Sequence, residues 1–187
     1  MTGLDPKDPL VLDLRALQRR PGSMSEVTRT VPAPENLGVA MARVPEGSPI
    51  ELDLRLESVL EGVLVTGTAD LLVAAECSRC LEAFDWHEEV ELTELFAYPA
   101  TDARGAVVEE EDESEDPLPV VQDDLIDLQP TLRDAVVLDL PLAPLCSEDC
   151  LGLCPVCGVR LEDDPLHAHE ATDPRWAALA ALQDPDA

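Results

Sequence analysis

The chain has 187 residues, which allows one domain or a small domain with extensions. Its 45% hydrophobic residues suffice for a core, and with two Phe, two Trp and one Tyr that core must be mainly aliphatic. Forty acidic residues against twelve basic ones give a formal net charge of −28. This charge repels nucleic acid and anionic membranes at long range, so a protein that binds nucleic acid unaided is a poor first hypothesis.

The acidic excess lies entirely after residue 49, because residues 1–49 hold six acidic and six basic residues. An acidic body with a neutral N-terminal arm suits a basic partner such as a ribosomal protein, although a solvated surface has the same composition. The arm carries one basic cluster, formed by Arg15, Arg19 and Arg20. This cluster predicts either a limited RNA contact through phosphate or a solvated arm.

The N-terminal sequence lacks the basic start and apolar run of a signal peptide, and no apolar stretch approaches the length of a membrane span. We therefore expect a cytoplasmic protein with no membrane partner. Thiols stay reduced in the cytoplasm, so its six cysteines indicate metal or redox chemistry more than disulfides.

Changes in pattern divide the chain into four parts. An N-terminal arm and covering segment contains a short predicted edge strand at residues 11–15 and is rich in Pro and Gly beyond residue 31. An antiparallel β-meander, an acidic disordered loop and a C-terminal part with a helix and the cysteine cluster follow. The four parts are residues 1–49, 50–99, 100–124 and 125–187.

The meander is predicted from three runs in which apolar and polar residues alternate, as in half-buried strands. The first begins at Ile50, the second runs from Val63 towards Cys77, and the third contains Phe84 and Trp86, which we interpret as core residues. The turn between the last two strands holds the Cys77-Ser-Arg-Cys80 motif.

The remaining predictions concern the acidic loop and two helices. Residues 109–116 include seven acids in eight, which cannot pack together; they indicate a solvated linker or a mimic of nucleic-acid charge. A helix is predicted to start with Asp127 as its N-cap and to end before Pro141. The residues of this helix predicted to face or flank the core are Leu128, Leu132, Ala135, Val136 and Leu138. A short terminal helix is predicted from Asp173, with Trp176, Leu179 and Leu182 on one face.

The cysteines have the spacing of zinc ligands. Cys154-Pro-Val-Cys157-Gly is typical of a zinc knuckle, and Cys77 and Cys80 form a second chelating pair. Six thiolates overfill one tetrahedral site and underfill two, and His167-Ala-His169 is a candidate source of the two missing ligands.

Two arrangements of these ligands remain open. In the first, two zinc ions are held, one by Cys77, Cys80, Cys146 and Cys150, and the other by Cys154, Cys157, His167 and His169. In the second, a single ion is held by Cys77, Cys80, Cys154 and Cys157, and the histidines lie on the surface. His87 is expected to face solvent in both. All ligands come from the protein, which indicates structural zinc and a protein that is not an enzyme.

With these motifs in view, the chain resembles the YceD family, the large ribosomal RNA subunit accumulation proteins. The resemblance rests on residues 19–22, 76–81 and 152–158, on the leucine and proline run before Cys146, and on residues 173–179. Some relatives carry Cys-x-Cys in place of His167-Ala-His169, which supports the histidines as ligands, and others lack the Cys154 and Cys157 pair.

The resemblance implies a role in synthesis, processing or stability of 23S ribosomal RNA. It also implies a gene that often neighbours that of a small protein of the large ribosomal subunit. We therefore expect an α+β fold with a C-terminal zinc-knuckle region, acting as a noncatalytic ribosome-biogenesis factor on the pre-ribosomal large subunit or a basic ribosomal protein.

Two other functions are weighed against this one. The first is a zinc-containing thiol redox protein or redox-switched chaperone using Cys154 and Cys157, although residues 158–165 are a weak helix start for a low-pKa thiolate. The second is a zinc-finger nucleic-acid binder, for which the sequence lacks a basic recognition helix.

Overall fold

The computed structural model describes residues 3–99 and 118–169. This part of the chain forms a five-stranded antiparallel sheet, a two-stranded sheet and one helix, so it is mostly β-strand and compatible with the predicted α+β class. The strands are β1 (Val11–Asp13), β2 (Met24–Pro32), β3 (Ala42–Arg43), β4 (Pro49–Ser58), β5 (Gly62–Glu76), β6 (Ala83–Ala97) and β7 (Leu125–Asp127), and the helix is α1 (Gln129–Asp139).

The long strand β5 is the centre of the larger sheet. Its 15 residues pair with β6 along one edge, and with β4 and then β3 along the other. The predicted meander is thus confirmed as the antiparallel run β4, β5, β6. Alternate side chains of these strands, among them Ile50, Leu71 and Val90, are buried in one continuous core, as period-two patterning requires.

Strand β2 is an addition that the sequence analysis does not predict. It pairs with β4 over nine residues, from Met24 opposite Glu57 to Pro32 opposite Pro49. The alternation in β2 is weak, since Ser25 and Arg29 share the core-facing side with Val27 and Val31. Part of the predicted arm therefore belongs to the sheet. The segment beyond it covers the core with Ala33, Leu37, Ala42 and Val44.

A second layer covers the core face of this sheet. Strand β1, which confirms the predicted N-terminal edge strand, pairs with β7, and α1 follows directly and contacts β6. Leu132 and Val136 of α1 are buried, and Leu140 closes the helix just before Pro141, as predicted.

Two details of the helix prediction are wrong. The N-cap is Leu128, whereas Asp127 lies one residue earlier in β7 and accepts a hydrogen bond from the Gln129 N–H at 2.9 Å. Leu138 is 87% exposed, so it lies on the outer side of the helix and not in the core.

Several predictions concern residues outside the described part of the chain. The terminal helix from Asp173 and residues 100–117 of the acidic loop lie there. The predicted disordered loop extends to residue 124, but its last part is ordered: Val120 bridges to Ala97, and Val121 is buried. Of the helical segments within residues 3–99 and 118–169, none has the length and apolarity needed to cross a membrane.

Candidate metal centres

The first cluster joins the turn between β5 and β6 to the loop after α1. Cys77 and Cys80 lie in that turn, which the Leu81 N–H closes by donating to the Cys77 carbonyl at 2.9 Å. The Ser78 N–H donates to the Pro144 carbonyl at 2.9 Å, which holds the following loop against the turn. Cys146 and Cys150 belong to this loop.

The sulfur spacing in the first cluster fits a tetrahedral metal ion. The Sγ atoms of Cys77 and Cys150 are 3.7 Å apart, as are those of Cys80 and Cys146. Four sulfurs at zinc–sulfur distances of about 2.3 Å lie roughly 3.8 Å from one another. A disulfide would require sulfurs about 2.05 Å apart, and all six cysteines are free thiols.

Cys77, Cys80 and Cys150 are buried, with Phe84 and Leu145 packed against them. Burial raises the pKa of the Cys77 thiol, but surrounding backbone N–H donors, led by that of Cys146, lower the pKa to about 6. Burial raises the pKa of Cys146 to about 12 and also raises that of Cys150. The lowered pKa of Cys77 beside the raised values of Cys146 and Cys150 suits a divalent cation, which binds thiolates and displaces thiol protons.

The second cluster is held in a small hairpin beyond the first. Leu153 bridges to Arg160, and between them the Gly158 N–H donates to the Cys154 carbonyl at 2.8 Å. This bond repeats the one from Leu81 to Cys77, and the φ angles are also alike, +61° at Leu81 and +74° at Gly158. The two Cys-x-x-Cys turns therefore share one backbone geometry.

His167 and His169 meet Cys157 at this hairpin. Their Nε2 atoms each lie 3.2 Å from Cys157 Sγ and 2.8 Å from each other. The Nδ1 atom of His167 lies 3.6 Å from Asp164 Oδ2, so this carboxylate is placed to orient the ring of a metal-binding histidine. Backbone N–H donors of Cys157 and Val156 lower the pKa of Cys154 to about 6.

The structure thus brings the eight predicted residues into two groups, within each of which the ligand atoms lie within 4.8 Å of one another. The grouping is that of the two-ion arrangement; the single site of Cys77, Cys80, Cys154 and Cys157 is not formed. Binding of an ion, and its identity as zinc, stay predictions. His87 lies apart from both groups and is exposed beside Asp70, as expected.

Four residues that support the clusters were not predicted from the sequence. Arg79 and Gly152 link the first turn to the residues between the clusters, and Arg160 with Glu82 links the second hairpin to the same turn, just before β6. Their residue types give no periodic signal. Two of the four could have been noticed in the sequence. Arg79 is a basic residue inside a Cys-x-x-Cys motif, and Gly152 is a glycine between the two cysteine clusters.

The basic cluster of the arm is largely neutralised by carboxylates. Arg15 pairs with Asp13, and Arg19 pairs with Asp124 and lies over the Tyr98 ring at 5.2 Å from its centroid. Two of the three predicted RNA-contacting side chains thus have carboxylate partners and remain 70% and 60% exposed, which is compatible with the predicted alternative of a solvated arm.

Fold and clusters together define a class: an antiparallel β protein with two four-ligand clusters, of which the first joins the central hairpin to a C-terminal segment and the second lies within that segment. Comparison with known sequences places the chain more closely. It belongs to the YceD family, described as large ribosomal RNA subunit accumulation proteins, whose model matches residues 65–183.

Several relatives are similar over most of the chain. The uncharacterized protein Rv2926c of Mycobacterium tuberculosis is 46% identical over 180 residues, covering 95% of this chain and 83% of the relative. The uncharacterized protein ML1660 of Mycobacterium leprae is 43% identical over 178 residues, covering 95% and 79%. The uncharacterized protein YlbN of Bacillus subtilis is 29% identical over 140 residues, covering 72% and 74%. No solved structure matches the chain significantly.

Proposed function

We propose that the chain is a noncatalytic ribosome-biogenesis factor that supports the synthesis, processing or stability of 23S ribosomal RNA in the cytoplasm. The observation that carries this proposal is membership of the YceD family across residues 65–183, which include both cysteine clusters. The partner is the pre-ribosomal large subunit or one of its basic proteins.

In this proposal zinc in both clusters has a structural role. The first cluster offers four thiolates and the second two thiolates and two imidazoles, which are the donors of structural zinc sites. Bound zinc would neutralise the thiolates in both clusters, and in the first it would also crosslink segments far apart in sequence. The residues that would hold it are Cys77, Cys80, Cys146 and Cys150 at one site, and Cys154, Cys157, His167 and His169 at the other.

The ligand count supports a role without catalysis. Four protein ligands complete a tetrahedral site and leave no position for an activated water, which catalytic zinc requires. A cleft of about 310 Å³ beside β3, β5 and β6 is lined mainly by alanines, with Arg43, Glu76 and Asp85 as its charged residues. That lining contains no hydroxyl, thiol or imidazole, so Glu76 and Asp85 are its only side chains of a nucleophilic type.

Charge on the uncovered face of the large sheet supports a basic partner. Glu51, Asp70 and Glu89 stand directly opposite one another on β4, β5 and β6. Like charges in such positions destabilise a sheet, and a basic partner would relieve the repulsion. Binding should therefore weaken as salt rises.

The experiment is to deplete the protein in its host and measure precursor and mature 23S ribosomal RNA together with the profile of ribosomal particles. The proposal expects less mature large-subunit RNA and fewer complete large subunits, with the small subunit unaffected. Normal 23S levels at full depletion would overturn it. Complementation with the wild-type gene is the control.

Low thiol pKa values favour a second candidate, a zinc-containing thiol redox protein or redox-switched chaperone. The pKa of Cys154 is lowered to about 6, and its neighbour Cys157 is exposed, as a redox pair requires. The donors that lower this pKa are backbone N–H groups of a tight turn, which equally suit metal binding. Insulin reduction by the reduced, metal-free protein would support the oxidoreductase function, and its absence together with tight zinc binding would count against it.

A further inference from the structure

The two clusters are built against one shared set of contacts. Only Leu151, Gly152 and Leu153 separate Cys150, the last ligand of the first cluster, from Cys154, the first ligand of the second. We call this three-residue segment the connector. Any displacement of the connector moves ligands of both clusters, because the covalent chain links them directly.

Arg79 holds the connector from the side of the first cluster. Its Nη1 donates to the Cys150 carbonyl at 3.0 Å, and its own carbonyl accepts from the Leu153 N–H at 3.1 Å. Gly152, at φ +77°, lies so close that a Cβ there would be 3.0 Å from the Arg79 carbonyl oxygen. The turn that holds Cys77 and Cys80 therefore contacts the chain on both sides of Gly152, at Cys150 and at Leu153.

Arg160 holds the second hairpin against the same turn. It lies opposite Leu153 in the hairpin that frames Cys154 and Cys157. Its Nη1 pairs with Glu82 at 2.5 Å, two residues beyond Cys80, while its Nη2 pairs with Glu162 of its own segment at 3.1 Å. The pair of Arg160 and Glu82 thus bridges the two clusters, whereas the pair with Glu162 does not.

We propose that the two metal sites are thermodynamically coupled, so that filling either site raises the affinity of the other, with Arg79 and the Arg160–Glu82 pair as the coupling contacts. The inference rests on the proposed metal sites and adds their interdependence. A filled first cluster orders the turn that positions Arg79 and Glu82, and the second hairpin then docks without the cost of ordering them. Thermodynamic linkage then requires that filling the second site raises the affinity of the first site by the same factor.

The test uses the full-length reduced protein, freed of metal and titrated with Co²⁺ under anaerobic conditions. A four-thiolate site and a two-thiolate, two-imidazole site give different sulfur-to-cobalt absorption, so the sites are followed separately. The C157S/H169A variant removes two exposed ligands of the second site and leaves buried Cys154 in place. Comparing it with the wild-type chain gives the affinity of the first site with and without its neighbour filled.

We expect the first site to bind at least fivefold more weakly in C157S/H169A than in the wild-type chain with its second site filled. E82Q should lower this ratio, because it removes one of the two coupling contacts and leaves those of Arg79 in place. E162Q removes the other partner of Arg160 with the same chemical change, and it should leave the ratio within twofold of the wild type.

Two results would overturn the coupling and separate it from the proposed metal sites. If two ions bind but the ratio is close to one in the wild type, or is the same in E82Q and E162Q, the sites exist and are independent. If no Co²⁺ binds, the metal sites themselves fail and the coupling fails with them. Circular dichroism of each variant checks that the sheet is retained.

Discussion

The Sγ atoms of Cys77 and Cys150 lie 3.7 Å apart although 73 positions separate these residues in the chain. Cys77 follows the central strand β5, and Cys150 lies in the loop that leaves α1. Both elements pack on the same core, so their contact depends on the whole fold. A metal ion bound there would tie the helix layer to the sheet.

The first prediction concerns metal content. The protein purified from cells without added zinc should contain two zinc ions per chain, because each cluster offers four ligands. Elemental analysis of the purified protein measures this directly. C157S/H169A should retain one ion. A wild-type chain with a single ion would contradict the two-site arrangement.

The second prediction compares a buried with an exposed ligand. Cys77→Ser should lower the free energy of unfolding by more than about 3 kcal/mol, because it removes a fully buried ligand from a site in which three of the four ligands are buried. Cys157→Ser should cost clearly less, since Cys157 is exposed and its site lies outside the main core. Urea unfolding of the zinc-loaded proteins gives both values. Equal losses of unfolding free energy in the two variants would contradict this prediction.

The third prediction concerns close contact between β4 and β5. A Cβ at Gly67 would lie 2.0 Å from the Asp53 carbonyl oxygen, so Gly67→Ala must displace backbone in the middle of the sheet. We expect a loss of about 2 kcal/mol or more in unfolding free energy. Gly3→Ala is the control, because no atom lies within 4 Å of its added Cβ. Thermal melts of the two variants should differ by several degrees.

The fourth prediction concerns the residue that closes each Cys-x-x-Cys turn. Leu81 has φ +61° and is 60% exposed, so Leu81→Gly relieves backbone strain and should raise stability by about 0.5 kcal/mol. Gly158→Ala makes the opposite change at φ +74° with open space around it, and it should cost about 1 kcal/mol. Chemical denaturation measures both. Changes of the same sign would contradict a shared turn geometry.

Strand β2 was not predicted from the sequence because its alternation of apolar and polar residues is weak. Period-two alternation identified β4, β5 and β6 because most of their core-facing positions are apolar, with Ser58, Glu88 and Glu94 as exceptions. In β2 Ser25 and Arg29 occupy such positions, so the pattern is lost. Strand β2 is stabilised by its pairing with β4, although the pattern of its own side chains does not predict a strand.

Local chemistry in the sequence was enough to determine the meander, the helix before Pro141 and the eight candidate ligands, since alternation, proline geometry and Cys-x-x-Cys spacing act over a few residues. The sequence left two ways to share those ligands. Only the tertiary structure decided between them, because the distance from Cys80 to Cys146 is set by packing of α1 and the sheet, not by the 66 positions between the two residues.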